Sequence, residues 1–207
     1  MLDIVRCSDF SRDTLLEISY KVSDLIIISS QELFEVLFGD DMKNVVRDLF
    51  LAKGNLYSYE NTWVAIERDQ IVGVMVLFTQ KDFFVKGLRM GLKILSCMGP
   101  RTFLKIPLLL KSSSLLLPIP KGSIYLSNIS VLPEYRRRGL GREMLKYVSN
   151  YAKLLKCNKV VLDVGVENDV ALRLYESEGF KVVAQTKSVK INTHTFCFYR
   201  MEKEIGI

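Results

Sequence analysis

The residues that could do chemistry most directly form an arginine- and glycine-rich stretch, residues 131–142. It follows a strand-like run and opens a helical pattern, so free backbone amides and the positive end of a helix dipole would face one place. Gly139 and Gly141 would let an anion approach the backbone. Positive charge is supplied by four arginines: Arg136, Arg137, Arg138 and Arg142. Such a loop is typical of a phosphate-binding site.

Two common nucleotide-binding loops do not match this stretch. A Walker-type loop needs Lys and then Ser or Thr after its last glycine, whereas Gly141 is followed by Arg142 and Glu143. A dinucleotide-binding loop needs a third glycine and an acidic residue about 20 positions further on. From this stretch alone, a solvated basic turn before an ordinary helix stays open, because short glycine motifs are weak evidence.

The arginine- and glycine-rich stretch and a second motif further along the chain together resemble the GNAT superfamily of acyl-CoA-dependent N-acetyltransferases. Its signature Arg/Gln-x-x-Gly-x-Gly/Ala is met by Arg136, Gly139 and Gly141, and residues 168–180 match N-x-x-A-x-x-L-Y-x-x-x-G-F. The region from about 124 to 183 is most similar to the ribosomal-protein N-terminal acetyltransferases. The resemblance implies an α/β fold: one mixed, mostly antiparallel sheet with helices on both faces.

The resemblance also implies acetyl-CoA as co-substrate. In the family, the loop amides hold the pyrophosphate, and the fourth strand diverges and pairs with the pantetheine arm. Asn168 would contact the cofactor, although an asparagine there is also an ordinary N-cap. The implied cofactor-binding residues are Ile129, Ser130, Val131, Arg136, Arg137, Arg138, Gly139, Leu140, Gly141, Arg142 and Asn168.

Acetyl transfer to an amine by direct attack in a ternary complex needs a neutral nucleophile and a proton for the departing thiolate. In the family, a tyrosine at the position of Tyr175 supplies that proton. Asp163 lies in mid-strand, 12 residues earlier, and the ribosomal-protein enzymes place a glutamate base at that offset. Asp163 would act directly or through a water, and a hydrogen-bonded strand residue is the alternative. Ser127 and Asn128 could order the water instead.

The positive charge of the chain is confined to one segment. The 207 residues carry a net charge of +6, but residues 81–121 alone carry eight Lys and Arg against Asp82. The remaining residues total −1, so the surplus belongs to this segment, which is also rich in Leu and Ile. Compact family members such as the ribosomal-protein enzymes lack it, which argues against a peptide N-terminus as acceptor. We hypothesise that this insertion forms helices over the acceptor cleft.

Other functions stay open. One alternative is a coenzyme A-binding GNAT-fold protein whose basic insertion docks on an anionic membrane surface or another acidic partner. Another is coenzyme A binding without catalysis. A nucleic-acid partner is not expected, because the insertion has few aromatic residues for base stacking. The acceptor amine, the acyl length and the oligomeric state, including a homodimer, are not specified by the sequence.

Acidic residues near the N-terminus have two interpretations. They could face a cationic substrate or form a solvated helix face; they are Glu32, Glu35, Asp40 and Asp41.

The four cysteines and His194 lack the spacing of a zinc site, so no metal is expected. The N-terminus is too acidic for a signal peptide, and the longest apolar stretch is interrupted by Lys111. We therefore expect a cytoplasmic protein with reduced thiols.

Hydrophobic periodicity predicts the elements that position these residues. Helices are predicted from Ser11, over 29–38 with a capping box at Ser29 and a stop at Gly39, and over 41–54, 139–155 and 169–178. Strands are predicted over 2–6, 62–67, 71–78, 123–132, 159–166, 181–189 and 194–202. This order predicts one domain, residues 1–207, interrupted by the insertion.

Overall fold

One mixed sheet forms the centre of the structure, a computed structural model that describes residues 2–98, 108, 111–112, 115 and 117–206. The helices are α1 Arg12–Ile28, α2 Gln31–Phe38, α3 Met42–Leu51, α4 Gln80–Met98, α5 Leu140–Leu154 and α6 Asp169–Ser177. The strands are β1 Asp3–Arg6, β2 Thr62–Glu67, β3 Gln70–Thr79, β4 Ser123–Val131, β5 Lys159–Gly165, β6 Lys181–Gln185, β7 Val189–Ile191, β8 His194–Phe196 and β9 Phe198–Glu204.

The sheet has the order β1-β2-β3-β4-β5-β9-β6, and β7 and β8 form a separate two-stranded ribbon. Within the sheet, β4 and β5 are parallel and the other neighbouring pairs are antiparallel. Residues of α1, α2, α3 and α4 pack on one face, and residues of α5 and α6 pack on the other. The mostly antiparallel α/β sheet with helices on both faces is therefore confirmed.

Local sequence patterns account for several of these elements. The Ser11 hydroxyl accepts a hydrogen bond from the Thr14 amide at the start of α1. Arg68 and Asp69 have positive φ angles of 50° and 62°, as expected for a tight turn between β2 and β3 that follows the twist of the strands. Gly39 ends α2 with a φ of 60°. Helix α3 ends at Leu51, three residues before the predicted stop.

The predicted capping box at Ser29 is wrong. Helix α1 continues to Ile28, so Ser29 lies in its C-terminal turn and its hydroxyl donates to the Ile26 carbonyl at 2.6 Å. Helix α2 begins after Ser30, whose side chain makes no capping hydrogen bond. The two helices are joined too closely for Ser29 to cap the second one.

The last two predicted strands are each divided in two. The first divides into β6 and β7, and the second into β8 and β9, because the chain leaves the sheet to form the ribbon. The division is held by a hydrogen bond from the Thr186 amide to the Phe198 carbonyl at 2.9 Å, and by one from the Phe198 amide to the Thr186 hydroxyl at 2.9 Å. The first break lies at four polar residues, 185–188, and the second lies within an apolar run, 196–199.

The insertion begins as helix α4, as predicted. Its Ile94 is buried, and Phe83 and Met90 pack against the same apolar core as α1 and α3. The hypothesised helices beyond α4 fall largely on residues outside the described ranges. No helix in the part of the chain that the structure describes is long and apolar enough to cross a membrane.

Candidate functional site

Strands β4 and β5 diverge halfway along their length. Their parallel pairing ends where Leu126 lies opposite Leu162. The β3–β4 register shifts at the same level, which leaves one extra residue, Ser127, in β4. Beyond it, residues 127–131 have no partner in β5, although β4 still pairs with β3 as far as Val131. We call this opening the strand split, and it contains the segment for which the resemblance implied a diverging strand.

The loop that enters α5 presents free amides. Within the described residues, the backbone amides of residues 137–141 donate to no acceptor, whereas those of Arg142 and Glu143 donate to the Gly139 carbonyl at 3.0 and 3.1 Å. Gly139 has a φ of 83° and lies in open space, with no atom within 4 Å of the place where a side chain would begin. Five consecutive amides at the start of a helix are therefore free to donate to an anion.

The four arginines around this loop are exposed. Three of them contact neighbouring protein groups in β2, in β4 and just after α6. These contacts are Arg138 to Glu67 at 2.8 Å, Arg142 to Glu178 at 2.8 Å, and Arg136 Nε to the Val131 carbonyl at 3.1 Å. Exposed ion pairs contribute only about 0–1 kcal/mol, so these arginines remain available to an anion at the loop.

Helix α6 carries the predicted acid. Its N-cap is Asn168, whose Oδ1 accepts from the Ala171 amide at 3.1 Å, so the capping role is confirmed. Tyr175 is 8% exposed and its ring packs on Phe180. Burial raises the pKa of Tyr175 to about 12, which keeps the hydroxyl protonated near neutral pH.

The Tyr175 hydroxyl has no hydrogen-bond partner among the described residues. Every buried side-chain nitrogen or oxygen in that part of the chain does have a partner. The hydroxyl therefore borders accessible space, where it can donate a proton or a hydrogen bond to a bound molecule.

Asp163 is the first residue of β5 beyond the stretch paired with β4. Its Oδ2 accepts from Arg200 Nη2 at 2.9 Å and from the Tyr125 hydroxyl at 2.7 Å, and its Oδ1 accepts from Arg200 Nε. Burial alone would lower the pKa of Arg200, but the hydrogen bond and charge of Asp163 raise it. Burial, followed by the charge of Asp163, raises the pKa of Tyr125 well above its usual range. Asp163 is therefore a carboxylate that is ion-paired with Arg200 and also accepts a hydrogen bond from Tyr125.

The two predicted catalytic residues lie on opposite faces of the sheet. Leu162 and Val164 pack in the apolar core that also holds Tyr175. Side chains alternate along a strand, so Asp163 points to the other face, where Tyr125 packs against the α1 core. Tyr175 and Asp163 therefore lie on opposite sides of the sheet.

A chain of polar side chains continues along the α1 side of the split. The Ser127 hydroxyl donates to Asn128 Oδ1 at 2.8 Å, and Asn128 Nδ2 donates to the Ser29 hydroxyl at 2.7 Å. Ser130 donates to the Leu25 carbonyl at 2.6 Å. Burial raises the pKa of Tyr57, although the neighbouring side chains of Ser127 and Asn128 oppose the rise. Tyr57 therefore belongs to the same polar group.

Sequence reasoning missed Arg200 and Tyr125. Arg200 is a cation in the middle of a strand, between Tyr199 and Met201, and the argument that singled out Asp163 applies to it equally. The acidic side chains near α2 are all exposed, as expected for a solvated face; they are Glu32, Glu35, Asp40 and Asp41. Among the described residues, no group of three or more His, Cys, Asp or Glu could hold a metal ion.

Known proteins are similar to this chain in sequence over short stretches and in fold over nearly its whole length. The [ribosomal protein bS18]-alanine N-acetyltransferase of Escherichia coli (strain K12) is 40% identical over 55 residues, which are 27% of this chain and 37% of that protein. An N-acetyltransferase structure from Staphylococcus aureus Mu50 has 16% identity and a TM-score of 0.64 over 98% of this chain and 99% of its own. A Bacillus subtilis acetyltransferase in complex with CoA has 14% identity and a TM-score of 0.54, covering 99% of this chain and 98% of its own.

The sequence matches to curated relatives are local. They cover between 25% and 40% of the length of those relatives. The sequence model of the Acetyltransferase (GNAT) family, in contrast, matches residues 28–180. Because that match extends over more than half of the chain and the fold agrees with it, the chain belongs to the Acetyltransferase (GNAT) family.

Proposed function

We propose that the protein is an acetyl-CoA-dependent N-acetyltransferase that moves an acetyl group to a primary amine of a small molecule, peptide or protein by direct attack in a ternary complex. The observation that carries the proposal is the row of five free amides, residues 137–141, beside an open strand split. Membership of the GNAT family and the CoA-bound fold neighbour support it.

The described residues fit coenzyme A. The free amides at the start of α5 suit a pyrophosphate, with Gly139 leaving open space and the nearby arginines adding charge. Gly141 instead faces Leu174 of α6, so its missing side chain serves the packing of the two helices. The β5-facing edge of Ile129, Ser130 and Val131 has no strand partner, so it suits the amide groups of a pantetheine arm. Asn168, at the start of α6, is exposed and available for a further cofactor contact.

The chain supplies a proton donor and a proton acceptor for the transfer. As the amine nitrogen bonds to the acetyl carbon and the carbon–sulfur bond breaks, Tyr175 gives its proton to the departing thiolate. Asp163, or a water that it orders, takes the proton from the amine. Both carboxylate oxygens already accept hydrogen bonds from Arg200 or Tyr125, which favours the route through a water. Ser127 and Asn128, the next residues of β4 after the end of its pairing with β5, are the side chains that would help order it.

A second proposal concerns the exposed face of α4. Phe84, Leu88 and Leu92 are 79%, 62% and 60% exposed and lie four residues apart, on one side of the helix. Lys81 and Arg89 are exposed beside them. An apolar stripe flanked by cations suits the surface of an anionic membrane, and we propose that α4 makes peripheral contact with one. The predicted cytoplasmic location stays a prediction.

The experiment that tests the main proposal is a thiol-release assay with acetyl-CoA against a panel of amines: spermidine, lysine, an aminoglycoside and an alanine-terminated peptide. Thiol release that depends on one of these amines is the expected result. Calorimetric titration with coenzyme A accompanies the assay. Failure to bind coenzyme A would refute the proposal at the cofactor site, and binding with no release in any reaction would refute catalysis with these acceptor classes.

A further inference from the structure

A buried arginine joins three parts of the chain at the strand split. Arg200 in β9 binds Asp163 in β5, and its Nη1 and Nη2 also donate to the carbonyls of Pro118 and Leu117 at 2.7 and 3.0 Å. Those carbonyls belong to the returning end of the insertion, more than 80 residues earlier. The Arg200 guanidinium also lies 5.6 Å from the centre of the Tyr125 ring.

These contacts use most of what an arginine can donate. The guanidinium has five N–H groups in a fixed planar arrangement, and four of them are engaged with Asp163 and the two carbonyls. The Arg200 side chain is only 4% exposed. A lysine would keep the charge but has no planar fork that reaches a carboxylate and two carbonyls together. The geometry therefore depends on arginine specifically.

The returning end of the insertion also packs on the elements beside the split. An apolar cluster, here called the cover, joins described residues of the insertion to α2, to the β7–β8 ribbon and to β9. Its members are Leu33, Val36, Leu108, Leu115, Val189, Ile191, Phe196 and Phe198. Phe198 pairs with Gly165, the last residue of β5 beyond the split. The cover thus lies at the open end of the strands, beside Asp163.

We infer that Arg200 is a positioning residue for the acceptor site: it fixes the Asp163 carboxylate at the split and holds residues 117–118 there, so that this returning end of the insertion forms one wall of that site. This inference rests on the proposed function, because it takes the split as the place of acetyl transfer. It also explains how an insertion of this length is tied to the site from its returning end.

Limited trypsin digestion of the ligand-free protein tests the tie to the insertion, with the protection of residues 117–122 measured as the rate of cleavage after the exposed Lys121. In Arg200→Lys, we expect this cleavage to be at least about tenfold faster, because the carbonyls of Leu117 and Pro118 lose their donor and the segment is released from the sheet. The matched control is Lys159→Gln, which removes a 2.8 Å ion pair with Glu202 between the same two strands. Unchanged protection in folded Arg200→Lys would overturn the inference.

Kinetics test the effect on the acceptor. With spermidine or the alanine-terminated peptide, whichever the wild type acetylates, we expect Arg200→Lys to raise the acceptor KM about tenfold and leave the Kd of coenzyme A within about twofold. Lys159→Gln should change neither. An unchanged acceptor KM, or an equal loss of coenzyme A affinity, would overturn the positioning role. A wild type without thiol release would instead refute the proposed function.

A second variant separates the two contacts of Arg200 and does not depend on the stability of Arg200→Lys. Asp163→Asn keeps oxygen and shape but removes the charge, so Arg200 can still donate to Leu117 and Pro118. We expect residues 117–122 to stay protected in this variant while turnover falls. Loss of protection equal to that in Arg200→Lys would contradict a direct hold of Arg200 on the insertion.

Discussion

Asp163 and Arg200 are direct neighbours in the β5–β9 ladder, and their side chains form a two-point ion pair where β5 leaves β4. The side chains of Asp163 and Arg200 are 11% and 4% exposed. The carboxylate that the sequence indicated as a base is therefore also part of the buried framework of the site. Its orientation depends on a residue 37 positions away.

This pair should matter for stability. Arg200→Met leaves the Asp163 carboxylate buried without its partner, so we expect the free energy of unfolding in urea to fall by about 3–5 kcal/mol. Lys159→Gln breaks an ion pair whose lysine is 29% exposed, and we expect a much smaller loss, because pairs of exposed charges contribute little. Equal losses in the two variants would contradict the account of a buried, framework ion pair.

The role of Gly139 in the loop can be tested against Gly122, a glycine elsewhere that has a similar positive φ angle. Gly139 and Gly122 have φ angles of 83° and 74°, so alanine at either position should cost about 1–2 kcal/mol of stability. Only Gly139→Ala should also weaken coenzyme A binding in calorimetry, by about tenfold, because its new methyl group enters the space in front of the free amides. The same affinity loss in Gly122→Ala would rule out a specific role for the loop.

Removing the Tyr175 hydroxyl should affect turnover and not cofactor binding. We expect Tyr175→Phe to lower kcat by about 100-fold or more, because a positioned acid contributes that much, with an unchanged Kd for coenzyme A. Tyr151→Phe is the control, since Tyr151 packs in the same core but against Trp63. Full turnover in Tyr175→Phe would refute the assignment.

The pH dependence follows from the raised pKa of Tyr175. The residue acts as an acid only while protonated, and burial moves its pKa from 10.0 to about 12. With saturating acceptor, kcat should therefore not fall from about pH 8 to about pH 10.5. The contrary result is a decline of the wild-type kcat centred near pH 10 that the residual kcat of Tyr175→Phe does not show. It would mean that the Tyr175 hydroxyl titrates as an ordinary tyrosine.

The exposed face of α4 predicts salt-sensitive membrane contact. The protein should co-sediment with phosphatidylserine vesicles at low salt and be released near 1 M salt, where charges are screened within about 3 Å. Replacing Leu88 and Leu92 by Gln should abolish the contact. Val182→Gln is the control, because Val182 is an exposed apolar residue on β6, outside the helix. No sedimentation of the wild type at low salt would dismiss this proposal.

Much of the fold could be predicted because its elements are periodic and locally encoded. Val45, Val46, Leu49 and Phe50 are all buried on one face of α3, as their spacing predicts. The Ser29 capping box failed because a serine between two helices can serve either one, and only the end of α1 decides which. The breaks after β6 and β8 were not predicted, because they depend on hydrogen bonds between Thr186 and Phe198, which meet only in the folded sheet.

The site was predicted unevenly for the same reason. The loop and the α6 motif are contiguous in sequence, so their residue types show the local structure directly. The contacts of Arg200 join β9 to β5 and to the insertion, 37 and more than 80 residues away. No short pattern encodes such pairings. The indication in the sequence was Arg200 itself, a cation in the middle of a strand and opposite in charge to Asp163.

The central claim is that the chain transfers acetyl from acetyl-CoA to an amine, and its most direct test measures both products in one reaction. Free coenzyme A thiol and acetylated amine, the latter identified by mass spectrometry, should appear in a ratio of about one to one and depend on both substrates. Thiol without acetylated amine, or neither product with any amine of the panel, would contradict the account.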